Sequence, residues 1–162
     1  SDHSDSGVKY FSGAATYRRT FEFTPAPVSG PGLKPVVYLD LGKVAVMAEV
    51  KLNGKTLGML WKPPYRVAIT SAVNAGQNLL EVRVVNLLVN RMIGDELLPE
   101  DSERNDNGTL KKWPQWVLEG RPSPTGRFTF TSWRLWKKGS PLQESGLLGP
   151  VTIQTVKRIS AR

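Results

Sequence analysis

The sequence predicts an all-β protein folded as an antiparallel β-sandwich, and residues 48–70 provide three observations that indicate it. Glu49–Leu52 alternates charged and apolar side chains, which is the period of a strand with one buried face. Asn53-Gly54 then supplies the two positive-φ positions of a tight type I′ hairpin. Pro63-Pro64 ends the next strand after Trp61, and alternation resumes over Tyr65–Ile69. A large aromatic side chain therefore stands where regular strand pairing stops.

Length and composition agree with one folded domain. The chain has 162 residues, of which 40% are apolar, so it is large enough to bury a core and too apolar for a disordered protein. It contains no run of about 18 apolar residues, so we expect no membrane-spanning helix and no membrane partner. It contains no cysteine, which excludes disulfides and thiolate metal sites.

The N-terminal half predicts strands separated by short breaks. Thr16–Phe23 reads as the first strand, and Arg19 on its apolar face must lie at a sheet margin or meet a buried acceptor. Thr24–Pro35 is rich in Pro and Gly and is predicted to be a loop. Val36–Leu41 and Val44–Leu52 follow as strands, the second of which enters the hairpin.

The C-terminal half contains one long apolar run and one long irregular segment. Asn78–Val89 is predicted to be a central strand covered on both faces. Residues 90–126 have few strand signals, and a loop of that length in a compact domain is usually functional or disordered. Arg127–Trp133 returns to strand alternation, and Gly149–Ile159 is predicted to close the sheet.

Four blocks of the sequence resemble one module of carbohydrate-active enzymes. In chain order they are YFSGAATYRRTFEF, LNGKTLGMLWKPPYRV, NLLEVRVVNLLVNRMIGDELLP and FTFTSWRLWKKGSPLQESGLLGPVTIQ, and they cover roughly residues 10–156. The chain is similar to the sugar-binding-like jelly-roll domain of glycoside hydrolase family 2 relatives. It most resembles the C-terminal modules of bacterial α-L-rhamnosidase-like enzymes of glycoside hydrolase family 106.

The resemblance implies a galactose-binding-domain-like jelly roll over residues 10–159, with a flexible tail or linker at 1–9 and a second tail at 160–162. In the resembled enzymes the catalytic carboxylates belong to a separate barrel domain. We therefore expect a non-catalytic accessory domain, excised from a secreted or periplasmic bacterial enzyme that degrades plant polysaccharides. The polar opening SDHSDSG fits a cut end better than a signal peptide. The same architecture also serves as a structural spacer that packs against the catalytic domain of its parent enzyme.

Tryptophans of the irregular segment and the strand after it are the candidate ligand contacts. Sugars present apolar C–H faces with a rim of hydroxyls, so aromatic platforms flanked by polar side chains suit a polysaccharide or oligosaccharide. The candidates for platform and rim are Trp113, Trp116, Trp133, Trp136, Lys112, Arg134, Asn90 and Arg91. Tryptophan is also a common core residue of β-sandwiches, so burial is the alternative for each ring.

Two further groups of residues have both a structural and a functional interpretation. Arg91 and Asp95, at i,i+4 spacing, are expected to pair across a turn, and Asn86 is expected to be hydrogen-bonded because an unpaired buried amide is costly. Trp61 beside Pro63-Pro64 forms a rigid ledge, suited either to a glycan or to the catalytic domain of the parent enzyme.

The charge balance is basic, at +8 with an isoelectric point near 9.9. One interpretation is solubility alone, and a second is selection for an acidic, pectic glycan. A third is nucleic acid, although no helix-turn-helix, zinc-finger or RNA-binding aromatic motif accompanies the charge, so the sequence argues against it.

The sequence does not predict a catalyst. Glycoside hydrolysis needs two carboxyl groups facing each other across a sugar, and the acids of residues 95–103 cluster in what reads as a flexible loop. The single histidine, His3, lies in the predicted tail. We expect no cofactor, although sandwich domains of this type leave room for a structural calcium ion, for which the sequence indicates no ligand set.

Overall fold

The computed structural model describes residues 3–27 and 35–157, and most of its regular structure is extended. Over these ranges the elements in chain order are α1 (Ser6–Lys9), β1 (Ala14–Phe23), β2 (Pro35–Asp40), β3 (Lys43–Ala45), β4 (Met47–Leu52), β5 (Lys55–Leu60), β6 (Arg66–Ala68), β7 (Gly76–Val85), α2 (Val89–Asp95), α3 (Gln115–Leu118), β8 (Gly146–Gly149) and β9 (Thr152–Lys157). Within these ranges no helix is long and apolar enough to cross a bilayer.

The strands pair into antiparallel sheets. A four-stranded sheet has the order β1-β7-β4-β5, a three-stranded sheet has the order β6-β2-β9, and β3 pairs with β8. The predicted hairpin joins β4 to β5, with Asn53 at φ 51° and Gly54 at φ 79°. The predicted all-β antiparallel sandwich is confirmed.

One cluster of buried side chains draws on both larger sheets. It takes alternate residues from the strands, as a pleated backbone requires. The members are Val37, Leu39, Leu41, Val44, Ala48, Val50, Leu52, Tyr65, Ile69, Leu80, Val82 and Val84. Burying each large aliphatic side chain contributes about 1.5–3 kcal/mol, so this cluster stabilises the sandwich. Arg19 is exposed on the edge strand β1, which confirms its expected place at a sheet margin.

The strand predicted over Val44–Leu52 is interrupted at Val46. Here the backbone N–H donates to Val85 O at 3.1 Å, and the carbonyl accepts from the Tyr65 hydroxyl at 2.9 Å. The backbone N–H of Val46 therefore still bonds to β7, the neighbour of β4, while its carbonyl is satisfied by a side chain.

The prediction that Asn78–Val89 is covered on both faces is wrong. In β7 the side chains of Leu80, Val82 and Val84 are buried, whereas Leu79 and Arg83 are exposed. The strand ends at Val85. The next side chain, Asn86, accepts from Gly13 N–H at 2.7 Å and donates to Ser145 Oγ at 2.5 Å, so its expected hydrogen bonding is confirmed.

The strand predicted over Arg127–Trp133 is absent from the described chain. The backbone N–H groups of Phe128 and Thr129 donate to the Asp95 carboxylate at 2.9 and 2.7 Å instead of to a neighbouring strand. The closing strand predicted over Gly149–Ile159 is present as β9, while residues 158–159 lie outside the described residues, as does most of the loop predicted over Thr24–Pro35.

The described residues separate into two compact units. Residues 13–27, 35–86 and 145–157 hold β1–β9 and form the sandwich unit, and residues 3–12 and 87–144 hold α1–α3 and form the loop unit. The single domain predicted over residues 10–159 stays a prediction. Residues 6–9, expected in a tail, form α1.

Candidate functional site

None of the five tryptophans, all of which lie in described ranges, is a core residue. Trp113 and Trp133 of the loop unit are each 56% exposed, and Trp61 of the sandwich unit is 64% exposed. Trp116 and Trp136 are half-buried. The alternative in which these rings fill the sandwich core is therefore wrong, because the core cluster contains no indole.

Trp133 and Trp136 line a cavity of about 330 Å³ in the loop unit, which we call the tryptophan cavity. Ligand pockets usually measure about 300–1,000 Å³, so this cavity is at the small end of the range. Its other walls are Met92, Glu96, Asp101, Arg104, Arg127, Thr129, Phe130, Thr131, Arg134 and Leu135. Of the residues predicted from sequence, the structure brings Trp133, Trp136 and Arg134 together here.

A short turn positions the indole of Trp133. Its Nε1–H donates to Asn107 O at 3.0 Å, and Thr109 forms a bridge with the Trp133 backbone. Gly108 sits in this turn at φ 84°, and a Cβ built there would lie 3.1 Å from Arg134 O. Only glycine fits that conformation and that close approach without strain. The ring is held by its N–H while more than half of its surface faces solvent.

Arg127 is the most enclosed charge of the cavity wall among the described ion pairs, with its side chain 6% exposed. Its Nε donates to Pro99 O at 2.8 Å and one terminal nitrogen donates to Leu98 O at 3.0 Å. The other terminal nitrogen reaches Glu96 Oε1 at 2.9 Å. Arg127 thus fixes the chain that follows α2, and sequence reasoning missed it because its partners lie about thirty positions away.

Arg134 completes a four-membered network of charges. It contacts Glu96 Oε2 at 3.2 Å through Nε and Glu100 Oε2 at 2.5 Å through a terminal nitrogen. The hydrogen bond from Arg134 holds the pKa of Glu100 below its usual value, and the same bond raises the pKa of Arg134. Two of the carboxylates predicted to lie in a flexible loop, Glu96 and Glu100, are therefore held by two arginines.

The charges around the tryptophan cavity compensate one another. Arg104 also contributes to the wall, where it donates to Gly108 O at 3.0 Å and Thr131 O at 2.7 Å, and burial lowers its pKa. Three arginines (Arg104, Arg127 and Arg134) meet three acids (Glu96, Glu100 and Asp101) in this neighbourhood. The cavity is polar and hydrogen-bonding without a strong net charge.

A second, more open depression of about 830 Å³ in the same unit is lined by Trp116 and Lys112; we call it the proline groove. Its remaining walls are Glu100, Asp101, Ser102, Glu103, Pro114, Gln115, Arg121, Pro122 and Pro124. The Trp116 indole donates to Asp101 O at 3.1 Å, and Lys112 pairs with Glu103 at 2.6 Å. Lys112 and Trp116 therefore belong to this groove and not to the tryptophan cavity.

The other predicted site residues lie elsewhere. Asn90 is buried, and its amide accepts from Gln143 N–H and donates to Gln143 O, both at 2.8 Å, so its side chain is directed to the backbone of Gln143. Arg91 pairs with Asp95 at 2.8 Å, which confirms the i,i+4 pair, and its guanidinium lies 5.5 Å from the Phe128 ring. Trp113 packs against Phe130 at 5.7 Å between ring centroids.

Both acids that line the tryptophan cavity, Glu96 and Asp101, already have protein partners. Both oxygens of Glu96 already face an arginine. The oxygens of Asp101 accept from Ser102 Oγ at 2.8 Å and Ser123 Oγ at 2.7 Å. Over residues 3–27 and 35–157 no group of three or more His, Asp or Glu side chains is placed to hold a metal ion.

Two known proteins are similar to almost the whole chain. A putative β-glucuronidase of Formosa agariphila is 47% identical over 150 residues, which is 93% of this chain. A solved rhamnosidase from Novosphingobium sp. PP1Y is 38% identical and matches 94% of this chain with a TM-score of 0.68. The chain is similar to a small part of glycoside hydrolases. The resemblance predicted from the four sequence blocks is thereby confirmed.

The match covers a minor share of each relative. The chain spans 13% of the Formosa protein and 12% of the Novosphingobium rhamnosidase. A β-glucuronidase of Bifidobacterium dentium, solved with coumarin-3-O-glucuronide, is 26% identical over 91% of this chain, has a TM-score of 0.51, and is matched over 22% of its own length. No protein-family model matches the chain.

Proposed function

We propose that this chain is a non-catalytic accessory module of a glycoside hydrolase and that its loop unit binds carbohydrate. The observation that supports this best is the exposed indole of Trp133 on the wall of the tryptophan cavity, beside Arg134. The indole offers an apolar face to sugar C–H groups, and the neighbouring guanidinium and carboxylates offer hydrogen bonds to hydroxyls. The similarity to proteins named as a rhamnosidase and a putative β-glucuronidase supports a glycan as the ligand.

The module assists an attached catalytic domain by holding it near its substrate. Tethering raises the effective concentration of the polysaccharide and requires no chemistry in the module itself. Both oxygens of Glu96 are paired with arginines, so this carboxyl group is poorly placed to protonate a glycosidic bond. This supports a module that binds glycan and leaves the chemistry to the attached domain.

The preference for acidic, pectic glycans is proposed as a long-range effect of the +8 net charge. The tryptophan cavity has compensated charges, so it contributes hydrogen bonds to hydroxyls and little selectivity for carboxylates. Attraction over longer distances is screened by salt within about 8–10 Å at physiological ionic strength. We expect any pectin preference to disappear at high salt while binding of neutral glycans remains.

A structural role is the second candidate, and one surface of the sandwich unit favours it. Trp61 is 64% exposed, Met59 at the end of edge strand β5 is 53% exposed, and the Lys62 ammonium lies 5.1 Å from the Trp61 ring centroid. Exposed apolar side chains beside the rigid Pro63-Pro64 pair suit a contact with the catalytic domain of the parent enzyme.

Affinity electrophoresis against neutral and acidic plant polysaccharides tests the proposal. We expect the wild-type chain to be retarded by at least one glycan, Trp133→Ala to lose most of the retardation, and Trp61→Ala to behave as wild type. Circular dichroism shows whether each variant is folded. Equal retardation of wild type and Trp133→Ala contradicts the proposed site. No retardation by any glycan supports the spacer, and binding to DNA that falls steeply with salt supports nucleic acid.

A further inference from the structure

We infer that the sugar-binding site extends from the tryptophan cavity into the proline groove, so that its ligand is a chain of several sugar residues and not a single sugar. This inference rests on the proposed function and specifies its substrate class. The groove has a volume of about 830 Å³ against about 330 Å³ for the cavity, so most of the available space lies outside the cavity.

Asp101 connects the two depressions because it lines both of them. Its position is fixed by three hydrogen bonds, from the Trp116 indole to its carbonyl and from Ser102 and Ser123 to its carboxylate. A carboxylate oxygen has two lone pairs, so each Asp101 oxygen still has one acceptor site. Asp101 is thus placed to accept hydroxyl hydrogens from sugars on either side.

Aromatic rings continue along the same path. Phe130 lines the tryptophan cavity, and its ring centroid lies 5.5 Å from that of Trp116 in an edge-on contact. Trp113 packs against the same phenyl ring at 5.7 Å. Edge-on contacts at this distance are favourable and fix ring orientation. Phe130 thus lines the same cavity as Trp133 and also contacts Trp116 of the proline groove, so it provides apolar surface between the two depressions.

The chemistry of the proline groove suits a neutral hydroxyl-rich chain. Pro122 and Pro124 are exposed and, with Trp116, provide rigid apolar surface for C–H faces. The charged rim residues are paired with one another, Lys112 with Glu103 and Arg121 with Glu119. Because these rim charges are paired, their side chains can still form hydrogen bonds but attract a charged ligand only weakly. A saccharide therefore fits the groove better than an ionic partner.

Isothermal titration of the intact chain with cello-, xylo- and manno-oligosaccharides and with oligogalacturonides, each from disaccharide to hexasaccharide, tests this inference. For a ladder that binds, we expect the Kd to fall at least about tenfold from the disaccharide to the hexasaccharide, which corresponds to about 1.4 kcal/mol. Trp116→Ala should reduce that difference by weakening the hexasaccharide more than the disaccharide. Trp133→Ala should weaken binding of both.

A second variant is needed because Trp116 also packs against Phe130 and holds Asp101. Gln115 is exposed at the groove, so Gln115→Ala combined with Lys112→Ala removes polar contacts and retains the aromatic packing. We expect this double variant to weaken the hexasaccharide more than the disaccharide. A Kd independent of chain length, or equal effects of the groove variants on short and long ligands, overturns the inference alone. No binding of any ladder contradicts the proposed function itself.

Discussion

Asp95 holds two distant segments of the loop unit together through one carboxylate. The side chain is 1% exposed, and Oδ2 accepts from Phe128 N–H, Thr129 N–H and Thr129 Oγ1 at 2.7–2.9 Å. Arg91 faces Oδ1 at 2.8 Å. Because removing one partner of a buried ion pair leaves an uncompensated charge, Asp95→Ala should cost about 3–5 kcal/mol of unfolding free energy.

Urea unfolding of Asp95→Ala and of an exposed control measures this effect. The Arg18–Glu81 pair has a similar distance, 2.7 Å, but the Arg18 side chain is 71% exposed. Arg18→Ala should therefore cost less than about 1 kcal/mol of unfolding free energy. Equal losses in the two variants would show that burial of Asp95 does not determine its contribution.

Glu100 predicts a pH dependence of stability. Its hydrogen bond with Arg134 lowers its pKa in the folded chain from the ordinary value of 4.5. Its charged form therefore stabilises the fold above the unfolded pKa, and this stabilisation is lost as the pH falls through the lowered folded value. We expect Glu100→Gln to be less stable than wild type near neutrality and to match it in strong acid.

The measurement is the urea midpoint of both proteins between about pH 7 and about pH 2, at low and high salt. The difference should be small, because the Glu100 side chain is 56% exposed, and it should shrink with salt. A difference that grows as the pH falls would reverse the sign of the effect and contradict the assigned cause.

Local pairs were predictable from the sequence and long-range ones were not. Arg91 and Asp95 stand at i,i+4, a spacing that brings side chains together on any helix. Arg127 and Glu96 are 31 positions apart, and no periodicity relates them. The four tryptophans of residues 113–136 were recognised by residue type. Trp133 and Trp136 line the tryptophan cavity, Trp116 lines the proline groove, and Trp113 lines neither. That distribution depends on the path of the irregular chain, which residue type does not determine.

At the scale of elements, Gly94 lies where Tyr10, the residue that follows α1, packs closely against α2. A Cβ built on Gly94 would lie 2.6 Å from the Tyr10 ring, inside contact distance. Alanine is otherwise better than glycine in a helix by about 1 kcal/mol. We expect Gly94→Ala to destabilise the wild-type chain and to be neutral or stabilising in a Tyr10→Ala background.

A double-mutant cycle on urea unfolding separates packing from helix propensity. The coupling between Gly94→Ala and Tyr10→Ala should be non-zero and should reverse the sign of the glycine substitution. A stabilising Gly94→Ala in the wild-type background would show that Tyr10 does not pack on α2.

Elements that depend on neighbouring residues were predicted correctly, whereas an element that depends on residues far apart in the sequence was not. The β4–β5 hairpin was predictable because Asn53-Gly54 sets its turn within two residues. The alternation of Arg127–Trp133 indicated a strand, but its amides bond to a side chain far away in sequence, Asp95. Alternation of residue types predicts which face each side chain lies on. It does not predict which group accepts the hydrogen bonds of the backbone amides, because that group comes from elsewhere in the chain.

At the scale of the whole molecule, several large apolar side chains are exposed, and the chain matches only a small fraction of each relative's length. Phe128 is 81% exposed, and Leu118 and Leu135 are 65% and 58% exposed, all in the loop unit. Soluble proteins rarely leave large apolar patches without a partner. The chain spans only 13% of one relative and 12% of another.

The five indole N–H signals of the intact chain provide the most direct test that sugars bind at the tryptophan cavity. A ¹H–¹⁵N NMR titration, with indole signals assigned by single Trp→Phe variants, would use oligosaccharides prepared from the polysaccharide that retards the chain in electrophoresis. We predict that the signals of Trp133 and Trp136 shift with saturation and that of Trp61 stays unchanged. Saturable shifts confined to Trp61, or no indole shift while the glycan binds, would contradict this account.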